Sequence, residues 1–118
     1  MRTAFLVGAL TLSLTTPAFA EQAHSIVNWE TGSRLYSDCT LPPNESFCFG
    51  YIEAVADTLG GGQPIFGGYR ACIPPGVVGF RLREIVIDYL ERIPSSSREL
   101  AASLLVTVAL SEKFPCHK

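Results

Sequence analysis

Beyond residue 30 the apolar positions recur at intervals of three and four, the period of a helix face, in four successive stretches. The first is short. In "TGSRLYSDC", residues 31–39, Leu35, Tyr36 and Cys39 fall on one side, and Thr31 or Ser33 is placed to cap the start. Pro42 and Pro43 follow soon after, and proline cannot continue the hydrogen-bond ladder. A second helix is predicted from the capping residue Asn44, with Glu45 at the positive end of its dipole, to Leu59. Phe47, Cys48, Tyr51, Ile52, Val55, Ala56 and Leu59 make it apolar almost all round, which predicts enclosure by other helices. Gly50 costs about 1 kcal/mol there relative to Ala, and so predicts a neighbouring backbone crossing close by.

The third helix is predicted over Val77 to Arg92, with Val78, Leu82, Ile85, Val86, Tyr89 and Leu90 as its buried stripe. Asp88 and Arg92 are spaced for an i, i+4 ion pair. Phe80 and Ile87 point away from the stripe and lie two turns apart, so together they form a candidate contact patch. Ile93-Pro94 ends this helix. In "SSSREL", Ser96 and Glu99 have the spacing of a capping box, which opens a fourth helix. Its inward residues are expected to be Leu100, Ala101, Leu104, Leu105, Val108 and Ala109, with Ser103 and Thr107 as a thin polar strip. No segment alternates as a strand requires. The expected fold class is all-α, a small four-helix bundle running up and down on short connections.

The first residues are of another kind. One Arg precedes a continuous apolar run, Ala4 to Leu14, and Ala18-Phe19-Ala20 supplies small residues at the two positions a signal peptidase reads. Residues 1–20 read as a signal peptide cleaved after Ala20, its apolar run too short to span a bilayer. Residues 21–30 read as an N-terminal arm with Trp29 docked on the core. Loss of Arg2 leaves eight basic side chains against eleven acidic ones, a net charge of −3. That balance excludes the basic patch that nucleic-acid binding needs. No later segment is long enough for a membrane span.

An exported chain changes the meaning of its cysteines. Cys39, Cys48, Cys72 and Cys116 are even in number and form no C-x-x-C pair, which points to two disulfides and a bundle held by them. In an up-and-down bundle Cys39 and Cys48 share one end while Cys72 and Cys116 share the other. The simplest pairing is therefore Cys39–Cys48 with Cys72–Cys116, because bridged Cα atoms lie only about 4.4–6.8 Å apart. A first helix crossing at a steep angle would leave the other pairings open.

Candidate chemistry is sparse. His24 and His117 lie near the ends of the chain, and Glu53 and Asp57 read as a solvated strip rather than a carboxylate pair. "GGGQPIFGGYRACIPPG" has the glycines of a phosphate cradle but neither the preceding strand nor the following Lys-Ser/Thr. No metal, cofactor or catalytic group is expected. Tyr69 and Arg70 in that loop, with Phe80 and Ile87, are the candidates for contact with a partner or second subunit, aromatic and Arg residues being the usual anchors.

"GSRLYSDC", "FCFGYIEAVADTL", "CIPPGVVGFRLREIVIDYLERIP" and "AASLLVTVALSEKFPC", in this order, resemble the Rap/Tai immunity protein family, with residues 31–118 as the family-like helical domain. The resemblance implies a periplasmic, disulfide-bonded, often dimeric all-α protein. It implies binding rather than catalysis: occlusion of the cleft of a peptidoglycan amidase toxin delivered by type VI secretion. From the composition alone, a periplasmic stress chaperone or a binding protein without a toxin partner are the alternatives.

Overall fold

A computed structural model describes residues 29–60 and 67–117. The signal-peptide reading, all of the arm but Trp29 and Glu30, and residues 61–66 of the loop lie outside them. Four α-helices follow in order: α1, Gly32–Thr40; α2, Glu45–Leu59; α3, Gly79–Arg92; and α4, Ala102–Lys113, with a 3-10 helix, Ser95–Glu99, between the last two. The fold is all-α, as the helical spacing predicts.

Leu35 of α1, Ile52 and Leu59 of α2, Val86 and Leu90 of α3, and Val106 and Leu110 of α4 are completely buried and form one core. Each fully buried aliphatic side chain stabilises the fold by roughly 1.5–3 kcal/mol. The α1–α2 turn is tight, with a cis peptide between Pro42 and Pro43. Arg83 of α3 gathers the elements around that turn. Its Nε and Nη2 donate to the Cys39 carbonyl, the former at 3.2 Å. Nη2 lies 3.6 Å from Glu45, and the guanidinium packs over the Phe49 ring at 5.4 Å. Further along, Tyr36 donates to Glu91 at 3.0 Å. With Cys39 near Arg83 and Tyr36 near Glu91, α3 runs opposite to α1. It lies across the α1–α2 hairpin instead of extending a strict up-and-down series.

Both bridges are formed as the simplest pairing has them: Cys39–Cys48 and Cys72–Cys116, each with Cα atoms 5.0 Å apart. Among the described residues no cysteine is free.

Several local expectations change. The glycine that admits a neighbour is Gly32, not Gly50. A Cβ on Gly32 would lie 2.9 Å from the Arg98 carbonyl oxygen and collide with the Leu105 side chain, whereas one on Gly50 would meet nothing within 4 Å. Gly32 is crowded because residues 30–32 are clasped to residues 100–102. Gly32 N–H donates to the Leu100 carbonyl at 3.1 Å, Ala102 N–H donates to the Glu30 carbonyl at 2.9 Å, and Thr31 and Ala101 form an antiparallel bridge. That clasp also displaces the expected capping box. Ser96 and Glu99 belong to the 3-10 helix, α4 starts at Ala102 with no side-chain cap, and the Glu99 carboxylate accepts from the Ser33 hydroxyl.

The register of α4 shifts accordingly. Leu100 is 49% exposed, while Ala102, Leu105, Val106, Ala109 and Leu110 are buried. Thr107, expected on a polar strip, is fully buried because its hydroxyl donates to the Ser103 carbonyl at 2.8 Å. Val78 precedes α3 in extended backbone and is exposed rather than part of its stripe. Asn44 starts α2 without a side-chain cap, its amide turned to Asp38 at 2.7 Å. Arg92 pairs with Glu112 of α4 at 3.7 Å and not with Asp88, and Trp29 is 87% exposed rather than docked.

Candidate partner-binding surface

The chain between α2 and α3 re-enters the described residues at Gly67, and the stretch to Val78 has no regular secondary structure. It is nevertheless pinned. Ala71 is completely buried, and Cys72 N–H donates to the Phe114 carbonyl at 2.8 Å. The Cys72–Cys116 bridge holds the same point to the end of α4. Ile73 and Val77 pack partly buried against the core. Gly67 and Gly76 take φ of 57° and 89°, a region that favours glycine, and turn the chain on either side of the pinned segment.

A loop fixed at Ala71 and Cys72, with Ile73 and Val77 turned to the core, leaves several other side chains exposed. Tyr69 is 43% exposed, Val78 63% and Phe80, in the first turn of α3, 56%. Arg70 is exposed as well. Between Asp57 and Glu84 the sequence contains no carboxylate and three arginines, Arg70, Arg81 and Arg83, although Glu53 of α2 lies against Gly79. Arg81 pairs with Glu84 at 3.1 Å, and Arg83 is committed to Cys39 and Glu45. Among the described residues no ion pair holds Arg70, which is exposed. Tyr69 stands near Tyr89 of α3, whose phenol is held above its ordinary pKa chiefly by burial, then by the charge of Glu112 and by Tyr69.

The structure thus places Tyr69, Arg70 and Phe80 on the exterior. Ile87 is different: it is half-buried and packs against the core, so Phe80 and Ile87 do not make a free patch of two. The 100° spacing puts Ile87 away from the stripe of its own helix, but α3 lies across the α1–α2 hairpin and is covered over a wider arc. Other exposed apolar side chains lie elsewhere, among them Phe47, which the periodicity places on the apolar surface of α2. Leu41 and Phe47 flank the α1–α2 turn, Phe47 with its ring 5.9 Å from that of Tyr51. The signal for Leu41 was its place beside two prolines, where no helix face exists to bury it.

A groove of about 250 Å³ between α3 and α4 is lined by Arg81, Ile85, Asp88, Arg92, Ala109 and Glu112, with Lys113 at its end. Its charged groups are partly neutralised by the Arg92–Glu112 pair, and no histidine, cysteine, serine or threonine lines it. Among the described residues, no three His, Cys, Asp or Glu side chains gather where they could hold a metal ion, and no helix is long and apolar enough to cross a membrane. Glu53 and Asp57 are exposed on α2, with Glu53 set against Gly79 of α3.

No curated protein and no solved structure matches the chain. A family model described as Rap1a immunity proteins matches residues 31–116. The matched span begins at the residue that caps α1 and ends at the cysteine that closes the second bridge, so it takes in all four helices, both disulfides and the pinned loop. By that match the chain belongs to the Rap1a immunity protein family.

Proposed function

We propose that this protein is exported to the periplasm by residues 1–20, which are then removed, and that it binds and blocks a peptidoglycan amidase toxin delivered by type VI secretion. It acts by occupying the toxin's surface and carries out no reaction of its own. The observation that carries the reading is the pinned loop of a chain in an immunity family: Tyr69, Arg70 and Val78 stand outward on a segment fastened by a disulfide and a buried alanine, with Phe80 exposed just beyond it in the first turn of α3. A fixed loop loses little conformational freedom on binding, which favours affinity. Its lack of carboxylates suits a toxin face that is acidic around an apolar centre. A homodimer belongs to the proposal and is checked by light scattering of the purified mature chain.

The test is co-expression with the exported product of the neighbouring gene. The expected result is a complex that survives gel filtration, together with suppression of that product's release of stem peptides from purified peptidoglycan. An active amidase that neither binds the chain nor slows in its presence refutes the reading.

A further inference from the structure

The two disulfides differ in their surroundings. Cys39 and Cys48 are both completely buried beside the α1–α2 turn. Cys72 is exposed and Cys116 half-buried, where the loop meets the end of α4. Thiol–disulfide exchange begins with attack of a thiolate on one sulfur, so its rate depends on access to that sulfur. The residues of the second bridge reach solvent, while those of the first are completely buried.

The consequences of opening each bridge also differ. Cys39–Cys48 lies inside the junction that Arg83 organises between α1, α2 and α3. Cys72–Cys116 joins two segments outside the helices, and among the described residues the loop around it is further held by the Cys72–Phe114 hydrogen bond and the packing of Ala71, Ile73 and Val77. Its loss bears on the loop before it bears on the core.

We propose that Cys72–Cys116 is a reducible latch on the partner-binding loop, opened by a dithiol reductant while Cys39–Cys48 stays closed. One thiolate of the dithiol attacks the Cys72 sulfur, and Cys116 leaves as a thiolate and takes up a proton. The second thiolate of the dithiol then attacks its own sulfur in the mixed disulfide, releasing Cys72 as a thiol. The dithiol becomes a disulfide, and two electrons and two protons have passed to the protein. The functional consequence rests on the loop being the toxin-contact surface; the chemistry does not.

The oxidised mature protein is titrated with dithiothreitol under native conditions, quenched with iodoacetamide and mapped by mass spectrometry, with a brief trypsin pulse at each point. Cys72 and Cys116 are expected to be alkylated at reductant concentrations about tenfold lower than Cys39 and Cys48. Over the same range, cleavage after Arg70 rises about tenfold with unchanged helical circular dichroism. The double variant Cys72→Ser/Cys116→Ser shows the faster cleavage without reductant. Opening of both bridges together, opening of Cys39–Cys48 first, or cleavage at Arg70 that ignores the state of the bridge overturns the proposal; if the double variant does not fold, the titration alone decides. No toxin enters the experiment, so a failed latch leaves the binding reading standing, and a failed toxin capture leaves these readouts unaffected.

Discussion

Gly32 and Gly50 are the same residue under opposite demands. At Gly32 a methyl group would collide with the Leu105 side chain and press on the Arg98 carbonyl, where the backbone clasp allows no retreat. Gly32→Ala is expected to cost about 1–3 kcal/mol, as overpacking does. At Gly50 the added methyl meets nothing, and the unfolded chain loses freedom that the helix does not need, so Gly50→Ala is expected to stabilise by about 0.5–1 kcal/mol. Urea unfolding of the two variants checks both signs, and a loss at Gly50 would mean that a second chain covers that face in solution. Glu30 poses a different local problem. Its Oε1 is buried with no hydrogen-bond partner among the described residues, and burial raises its pKa above the ordinary carboxylate value of 4.5; Arg34, at 3.9 Å, offsets part of this and Asp38 adds to it. A carboxylate with a raised folded pKa gives its full stability below the ordinary value and loses it as pH rises through the folded one. Glu30→Gln is therefore expected to melt at the same temperature as the parent below pH 4.5, and a few degrees above it at pH 7. Parallel melting curves across that range would show that the carboxylate is solvated after all.

Helix ends show where the sequence is legible and where it is not. Thr31 was readable as a cap because its partner is local: its hydroxyl accepts from Arg34 N–H at 3.3 Å, three residues away. Ser96 and Glu99 carry an equally good local signal, yet the clasp between residues 30–32 and 100–102 moves the start of α4 beyond them. That clasp joins segments about seventy residues apart, and no window along the chain contains it. Thr31→Ala is expected to cost about 1 kcal/mol and Ser96→Ala less than about 0.5 kcal/mol, read by thermal melts. Equal losses would restore a capping role to Ser96. The helix faces divide the same way. Ile52, Leu59, Leu82, Ile85, Val86 and Leu90 are buried where periodicity puts them. Val78 and Leu100 are not, because each lies just outside the helix it was assigned to. Arg83 was invisible as a structural residue, since nothing in the sequence tells that its guanidinium will meet a carbonyl 44 positions earlier. Arg83→Met removes hydrogen bonds from a charged donor and unties the α1–α2 turn from α3; a loss of about 1.5–3 kcal/mol is expected in urea unfolding.

At the scale of the whole molecule, the residues that hold the fold and those proposed to contact a partner are different. The core and the buried bridge hold α1 to α4 together, while Tyr69, Arg70 and Val78 stand outside that core on a loop fastened by the second bridge, and Phe80 stands outside it at the start of α3. The loop could be picked out from sequence because glycines, prolines, an aromatic and an arginine interrupt two helical periods. Ile87 could not be rejected, because whether an off-stripe residue is covered depends on how α3 lies across its neighbours. The separation has a testable consequence. Exposed side chains outside the core can be removed with little effect on the fold, so Arg70→Ala and Phe80→Ala should leave the melting temperature within about 2 °C of the parent. If they anchor the toxin, each should weaken its binding by at least about tenfold, the range in which truncated aromatic and arginine anchors fall. Leu41→Ala and Phe47→Ala supply the control, being comparably exposed apolar residues at the α1–α2 turn. Calorimetric titration of the toxin against all four variants decides between the surfaces: weakened binding confined to Arg70 and Phe80 supports the loop, and weakened binding confined to Leu41 and Phe47 moves the contact to the turn.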